Sequence, residues 1–515
     1  MEKLEILIAM SLYMAAIIGI GFYYYKKANQ SSDNYFLGGR TLGPWVTAMS
    51  AEASDMSGWL LMGLPGVAYW LGLSDAMWTA IGLLAGTALN WIIVSRRLRF
   101  YSEKTESITL PEFFSARFHE DKKVILTISS VFIFIFFSVY AASCFVTFGK
   151  LFSVLFGQPY IPMMIAGAVF VVFYTFVGGF LAESVSDFMQ AIVMIVSLLF
   201  VLVAGIMASG GLDNVINNLK NIPGFLDMFG IATPVLENGA QKIVGGSPVF
   251  GPAGNYSLLS IVSTMAWGLG YFGMPQVLLR FMAIRDADEL GKSKVIAIVW
   301  CSISLFVAVF IGLLGRDLYP AELTTSAASE TVFILLATKL FPPLLAGIVM
   351  AGILAATISS ADSYLLIAAS AFAKNIYGLV KKDIDDKEVM KMSKIILLVL
   401  TVIGIIIALD EKSIIFQVVS FAWAGFGATF GPLMLFSLFW RKITRKGAIA
   451  GMLAGGITVF VWKLVIKPMG GVFGIYELLP AFLISCAFII VISLMDKDID
   501  QKILNEFDEV KIASK

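Results

Sequence analysis

The 515-residue chain has one histidine, three cysteines and only 14% charged residues. Each scarcity excludes a class of protein. Cys144, Cys301 and Cys486 all sit inside apolar runs, so no disulfide framework is expected. The sole histidine, His119, falls in a loop, which leaves the apolar runs without the imidazole and thiolate groups that hold transition metals. A net charge of +1 leaves no basic excess for nucleic acid. No nucleophile stands beside a base, and there is neither a phosphate-binding loop nor a metal-hydrolase spacing, so no enzyme activity is expected.

What remains is hydrophobic: 58% of the residues, with a mean hydropathy of +0.86. Runs of about 20 apolar residues recur along the length, which marks an all-α polytopic membrane protein. The first run, 4–25, follows an acidic rather than a basic start and is too long for a signal-peptide core, so it reads as a retained span. Spans are then expected near 41–71, 75–94, 123–155, 160–180, 186–207, 257–281, 296–314, 342–373, 393–409, 414–440, 448–466 and 478–494, about thirteen in all. Bases collect on one side of this count: Lys26, Lys27 and Arg40, the loop from Arg96 to Lys123, then Arg280, Arg285, Lys292 and Lys294, and the segments 374–394, 441–446 and 497–515. By the positive-inside rule the N-terminus lies outside and the C-terminus in the cytoplasm, in a cell inner (plasma) membrane. The tail 496–515, with its alternating charge, reads as a solvated end rather than an amphipathic helix.

Two of the expected spans are interrupted. Ser50-Ala-Glu-Ala-Ser-Asp55-Met-Ser-Gly-Trp59, followed by Gly63-Leu-Pro-Gly66, puts acids, hydroxyls and helix breakers at membrane depth. Such a stretch is tolerated where it faces protein or a wet cavity, and a surface loop between two short helices is the plainer alternative. Five spans later, Trp267-Gly-Leu-Gly-Tyr271-Phe-Gly273-Met-Pro275 weakens another helix. Five is odd, so a unit repeated at that interval lies inverted relative to its copy, as in secondary transporters with a midplane site. Two unrelated kinked helices would leave the same trace.

In the ninth span Ser359, Asp362 and Ser363 stand at i, i+3 and i+4 on one face, with Ser360 beside them. Hydroxyl, carbonyl and carboxylate oxygens suit a hard cation, although serines also serve close helix packing. Asp187 follows Gly178-Gly179 near the cytoplasmic end of its span and has no base in that span. It reads either as an interfacial acid or as a partner of Asp362, in which case a second Na+ or a shared proton would keep the two carboxylates together. Tyr140, Trp267 and Tyr271 lie deep in spans, as walls of a small-solute pocket or as ordinary packing.

Arg40-Thr-Leu-Gly-Pro44, the run from Ser54 to Gly66, Leu110-Pro-Glu-Phe-Phe114, Trp267-Gly-Leu-Gly-Tyr-Phe-Gly273 and Phe421-Ala-Trp-Ala-Gly-Phe-Gly427 resemble the sodium/solute symporter family over essentially the whole chain, nearest its bacterial proline-importing branch. The resemblance implies a LeuT-type core of two inverted five-helix units. It divides the chain into 1–40, a first unit at 41–211, an outer loop at 212–256, a second unit at 257–440, and two further helices with a tail at 441–515. It implies Na+ held by the carbonyls of Ala53, Met56 and Ala356 and the hydroxyls of Ser359 and Ser360. Asp55 would support Na+ and solute, Ser57, Gly58, Tyr140, Trp267, Tyr271 and Pro275 would contact or gate the solute, and Asp187, Asp362 and Ser363 would serve a second cation or proton. The implied activity is Na+-coupled import of L-proline by alternating access. Alternatives are another small solute (an organic acid, pantothenate, a sugar or sialic acid), a sensor or a channel. The implied surroundings are the lipid bilayer, without an obligatory protein partner. The sequence departs from the proline-importing branch at Glu52, where that branch has glycine, at Met274 and Gln276, at Ser360 for Thr, and at Asp362 for Ser.

Overall fold

The computed structural model describes residues 2–28, 30–381, 385–496 and 500–514. Positions 382–384, 497–499 and 515 of the two basic segments therefore lie outside the described residues. Ten described helices are long and apolar enough to cross a membrane. The expected count of about thirteen treats the two limbs of Tyr160–Ala208 separately and adds the two interrupted segments. That 49-residue helix turns at Gly179, whose φ of 60° and ψ of −179° suit a residue without a side chain. The junction expected as a loop is thus a hinge inside one long element.

Both interruptions are present, and they differ in kind. In the first, the Pro44–Asp55 helix stops at Met56, whose φ of −89° and ψ of 78° leave the helical region. The chain resumes through a wide turn at Trp59–Gly63 and the helix Leu64–Leu71. Gly58 sits in the gap because a Cβ there would lie 2.3 Å from the Thr147 hydroxyl. In the second, the Leu258–Met265 helix tightens into a 3-10 helix over Ala266–Gly273, Met274 becomes extended, and Pro275 starts the helix Pro275–Ala283. Proline suits that first helical position because its missing N–H would have had no partner there.

At one end, residues 210–256 hold the helix Leu212–Leu219 and three two-stranded antiparallel pairs. Backbone bonds from Leu73 N to Phe225 O (2.7 Å) and from Ala232 N to Leu71 O (3.1 Å) tie them down. The segment after the Leu290–Leu318 helix contributes the buried helix Val332–Leu340. Its Glu330 pairs with Lys150 at 2.7 Å and accepts from Ile415 N and Phe416 N at 2.9 Å each, pinning the start of the Ile415–Phe439 helix.

At the opposite end the tail overturns an expectation. It is not a free solvated end: Gln501–Ala513 is a helix that buries Ile503, Phe507 and Val510. Those residues fall at i, i+4 and i+7, so alternating charge in sequence conceals one apolar stripe. Arg97 and Arg117 lie over the Phe507 ring at 4.7 and 5.3 Å, Arg441 meets Asp508 at 3.0 Å, and His119 meets Glu506 at 2.9 Å. A second correction concerns Arg280. Counted among the loop bases, it is fully buried in Pro275–Ala283, because carboxylates from Tyr160–Ala208 meet it there.

Candidate functional site

The broken segment 44–71 and the unbroken Pro343–Ser370 helix meet at the gap. The Ser359 hydroxyl donates to the Ala53 carbonyl at 2.8 Å and reaches Ala356 O at 3.2 Å, while Ser360 donates to Ala53 O at 3.3 Å. Four of the five expected cation ligands are thus brought together, all buried. Met56, the fifth, opens the break, and its ψ turns its carbonyl out of the helical ladder. The set consists of hard oxygens, carbonyl and hydroxyl, whose lone pairs suit an alkali cation.

Two residues along the same segment stands Asp55, fully buried. Its carboxylate is held by neutral donors: the Tyr271 hydroxyl at 2.8 Å and Gln276 Nε2 at 3.2 Å, both from the second broken segment. Its carbonyl, released by the end of the helix, accepts from Trp59 Nε1 (3.2 Å), the Tyr140 hydroxyl (3.3 Å) and the Tyr364 hydroxyl (3.5 Å). The Tyr140 and Tyr364 rings stack at 4.1 Å. The Ser57 hydroxyl is buried with no hydrogen-bond partner among the described residues. Gln276, Trp59 and Tyr364 were not in the expected site. Gln276 and Tyr364 are polar-tipped residues inside apolar runs, a signal that was available.

Trp267 lies above this centre and contacts four rings: Trp59 at 6.5 Å, Phe416 at 5.0 Å, Trp423 at 5.8 Å and Tyr476 at 5.1 Å. Because Ala266–Gly273 is a 3-10 helix, Trp267 and Tyr271 do not share one face as α-helical spacing would have it. Trp267 instead floors a cleft of about 900 Å³, and Tyr271 points down to Asp55. Pro275 packs at the start of the helix that carries Gln276.

A second polar centre lies around Arg280. Its guanidinium pairs with Glu183 and with Asp187 (3.1 Å), and it donates to Ser50 Oγ (3.0 Å), Ser363 Oγ (2.8 Å) and Gln276 O (3.2 Å). Ser50 also donates to Asp187 at 2.7 Å, and Ser363 to Glu183. Asp187 is fully buried, so it is not the interfacial acid of the first reading, and beside the second reading, a second Na+ or a shared proton, stands a third: a built-in cation from another span. Asp362 stands apart, with one oxygen accepting from Ser363 N at 2.8 Å and the other unpartnered among the described residues. Glu52, one turn before Asp55, accepts from Trp91 Nε1 at 3.1 Å. Sequence reasoning missed Glu183 and displaced Arg280. Each is a charge inside an apolar run, but they come from different spans and only the fold pairs them.

The model of the sodium:solute symporter family matches residues 35–455. A sodium/proline symporter of Staphylococcus aureus (strain USA300 / TCH1516) is 39% identical over 498 residues, spanning 95% of this chain and 92% of that protein. Among solved structures, a substrate-bound, outward-open Na+-coupled sialic acid symporter superposes with a TM-score of 0.76 at 17% identity, over 96% of this chain and 99% of that one. MhsT in complex with L-phenylalanine superposes at 0.54 and 14% identity, over 87% and 97%. At those identities the two structures speak for the fold alone, which is of the LeuT type.

Proposed function

The chain belongs to the sodium:solute symporter family, and from that premise we propose that it imports a small zwitterionic solute, L-proline, in symport with Na+. The observation that carries this reading is the gap at Met56, which sets the Ala53, Ser359 and Ser360 oxygens two residues from a carboxylate held only by neutral donors. Na+ is cargo here. It would sit against Ala53, Met56, Ala356, Ser359 and Ser360, closing the junction between the broken segment and the Pro343–Ser370 helix. Asp55 would then face the solute's ammonium group, with Ser57, Gly58, Tyr140 and Tyr271 around it and Trp267 as the outer barrier. Because ion and solute share one short piece of backbone, filling the first site orders the second, which is a differential interaction able to shift a conformational equilibrium.

Alternating access would follow from rocking of one bundle against the other, with 41–211 and 257–440 as the inverted units. The cleft above Trp267 would face outward, the N-terminus outside and the C-terminal helix in the cytoplasm, an orientation supported by the distribution of basic residues. The work is transport without chemical conversion. Each Na+ entering down a potential of 100 mV, negative inside, contributes about 2.3 kcal/mol before any concentration gradient. The test is uptake of radiolabelled L-proline into proteoliposomes. An inward Na+ gradient should drive accumulation above equilibrium, and replacing Na+ by K+ should abolish it. Equal uptake in both salts would reject Na+ coupling, and no proline uptake beside Na+-driven uptake of another solute would reject proline.

A further inference from the structure

At the end opposite the cleft, the helix Gln501–Ala513 lies across the seam between the proposed first five-helix unit and the last helix of the second. Arg97, from the first unit, stands between two rings, Phe439 of Ile415–Phe439 at 5.0 Å and Phe507 of the tail at 4.7 Å. Arg117, fully buried, donates from Nε to the Ser437 carbonyl at 2.9 Å and lies 5.3 Å from the same Phe507 ring. Phe507 thus caps two contacts between the units. Neighbouring residues of a helix point about 100° apart, and the tail reaches both sides of the seam in this way. Glu509 pairs with Lys104, and Glu506 with His119 at 2.9 Å, both bases belonging to the first unit. Asp508 pairs at 3.0 Å with Arg441, which directly follows the second.

We propose that this helix is an autoinhibitory strap: docked, it keeps the cytoplasmic side closed, and it must lift from Arg97, Lys104 and Arg117 before solute can leave inward. Its footing is apolar, through Ile503, Phe507 and Val510, yet Arg117 Nη1 and Nη2 are buried beside it with no hydrogen-bond partner among the described residues. Unpaired buried donors offset part of the gain from apolar burial, and the exposed pairs Lys104–Glu509 and Arg441–Asp508 add little. The docked state is therefore favoured by a small margin. Only residues 496–500 separate the strap from Leu478–Met495, so it stays with the helices that follow the second unit and parts from the first. A contact made when this side is closed and lost when it opens favours the closed form by its own free energy. The inference rests on the reading of alternating access with the tail in the cytoplasm, and it holds for any solute.

The test uses the full chain in proteoliposomes with Cys486→Ser, which removes the half-exposed native thiol, together with Lys104→Cys and Glu509→Cys. Bridging the two new thiols with a bis-methanethiosulfonate should stop Na+-driven proline uptake and leave Na+-dependent binding of radiolabelled proline unchanged. Reductant should restore uptake. Loosening the strap should act the other way. Glu509→Lys should raise the maximal uptake rate and the proline KM together, each about twofold to tenfold, because more of the protein leaves the form open at the cleft. Lys104→Glu with Glu509→Lys should return both to wild type, which separates lost pairing from lost fold. A bridged protein that transports at the unbridged rate overturns the strap. So does a bridge that abolishes binding along with uptake, or a Glu509→Lys protein with unchanged rate and KM. The unbridged protein judges the import reading separately: if Na+ drives another solute in place of proline, the bridge is scored on that solute.

Discussion

Two buried polar centres touch the same helix, Pro44–Asp55, and each keeps its carboxylates in a different way. At Asp55 every side-chain partner is neutral, a phenol and an amide, and the nearby oxygens of Ala53, Ser359 and Ser360 have no fixed positive charge among them. At Ser50, five residues earlier, Glu183 and Asp187 have Arg280 between them. Isolated charges are costly to bury, so both centres need a cation, but only the second brings its own. The first is therefore suited to a cation that comes and goes. The second is suited to holding Tyr160–Ala208, Pro275–Ala283, Pro343–Ser370 and Pro44–Asp55 together at one point.

Asp55→Ala breaks this contrast most severely. It removes the carboxylate proposed to meet both the solute's ammonium group and the field of Na+. Two charge-assisted contacts of about 1.5–3 kcal/mol each amount to roughly a hundredfold to ten-thousandfold in affinity. Na+-driven uptake should vanish while the protein remains in the membrane at normal yield. Retained Na+ dependence would remove Asp55 from the site.

At the other centre the expected loss is stability. Arg280→Ala strands two buried carboxylates, which costs about 3–5 kcal/mol when one partner of a buried pair is removed. Thermal unfolding in detergent should show a lowered midpoint. Neutralising the stranded groups with Glu183→Gln and Asp187→Asn in the same chain should recover most of it. An Arg280→Ala protein as stable as wild type would show that the guanidinium is not the tie described here.

Trp267→Ala sharpens the comparison by acting between the centre at Asp55 and the outer cleft. Losing one aromatic contact with the solute, worth about 0.5–1.5 kcal/mol, should raise KM about threefold to tenfold. An unchanged KM would confine this ring to packing against Tyr476, Phe416 and Trp423.

What the sequence disclosed follows from the range of each signal. The gap at 53–58 was legible because the acid, the hydroxyls and the breakers are neighbours in the chain, and Ser359 and Ser360 because hydroxyls in an apolar run are conspicuous. The second break was legible from its glycines and proline, but not its 3-10 form, which separates Trp267 from Tyr271. The Arg280 centre was not legible. A base at the end of an apolar run looks like an interfacial charge until the neighbouring helix is known to carry Glu183 and Asp187 at the same depth. The tail misled for a related reason: the stripe Ile503, Phe507, Val510 is short, and its significance depends on Arg97 and Arg117 waiting beneath it.

Asp362 borders the Arg280 centre without bonding to its guanidinium and gives the smallest expected effect. One of its oxygens is met by Ser363 N and the other is unpartnered among the described residues, and Arg280 turns to Glu183 and Asp187 instead. The single guanidinium of Arg280 already faces two carboxylates, Glu183 and Asp187, and has no charge to spare for Asp362, so a second cation or a proton is what would accompany that acid through the transport cycle. Asp362→Ser restores the residue of the resembling branch and should leave folding intact, since serine is small and can still bond within the helix. The Na+ Hill coefficient, or the pH profile of uptake, should then change while the maximal rate stays within about a factor of three, the scale of a single modest hydrogen bond. Should the Hill coefficient and the pH profile both match wild type, Asp362 accompanies no ion in the transport cycle.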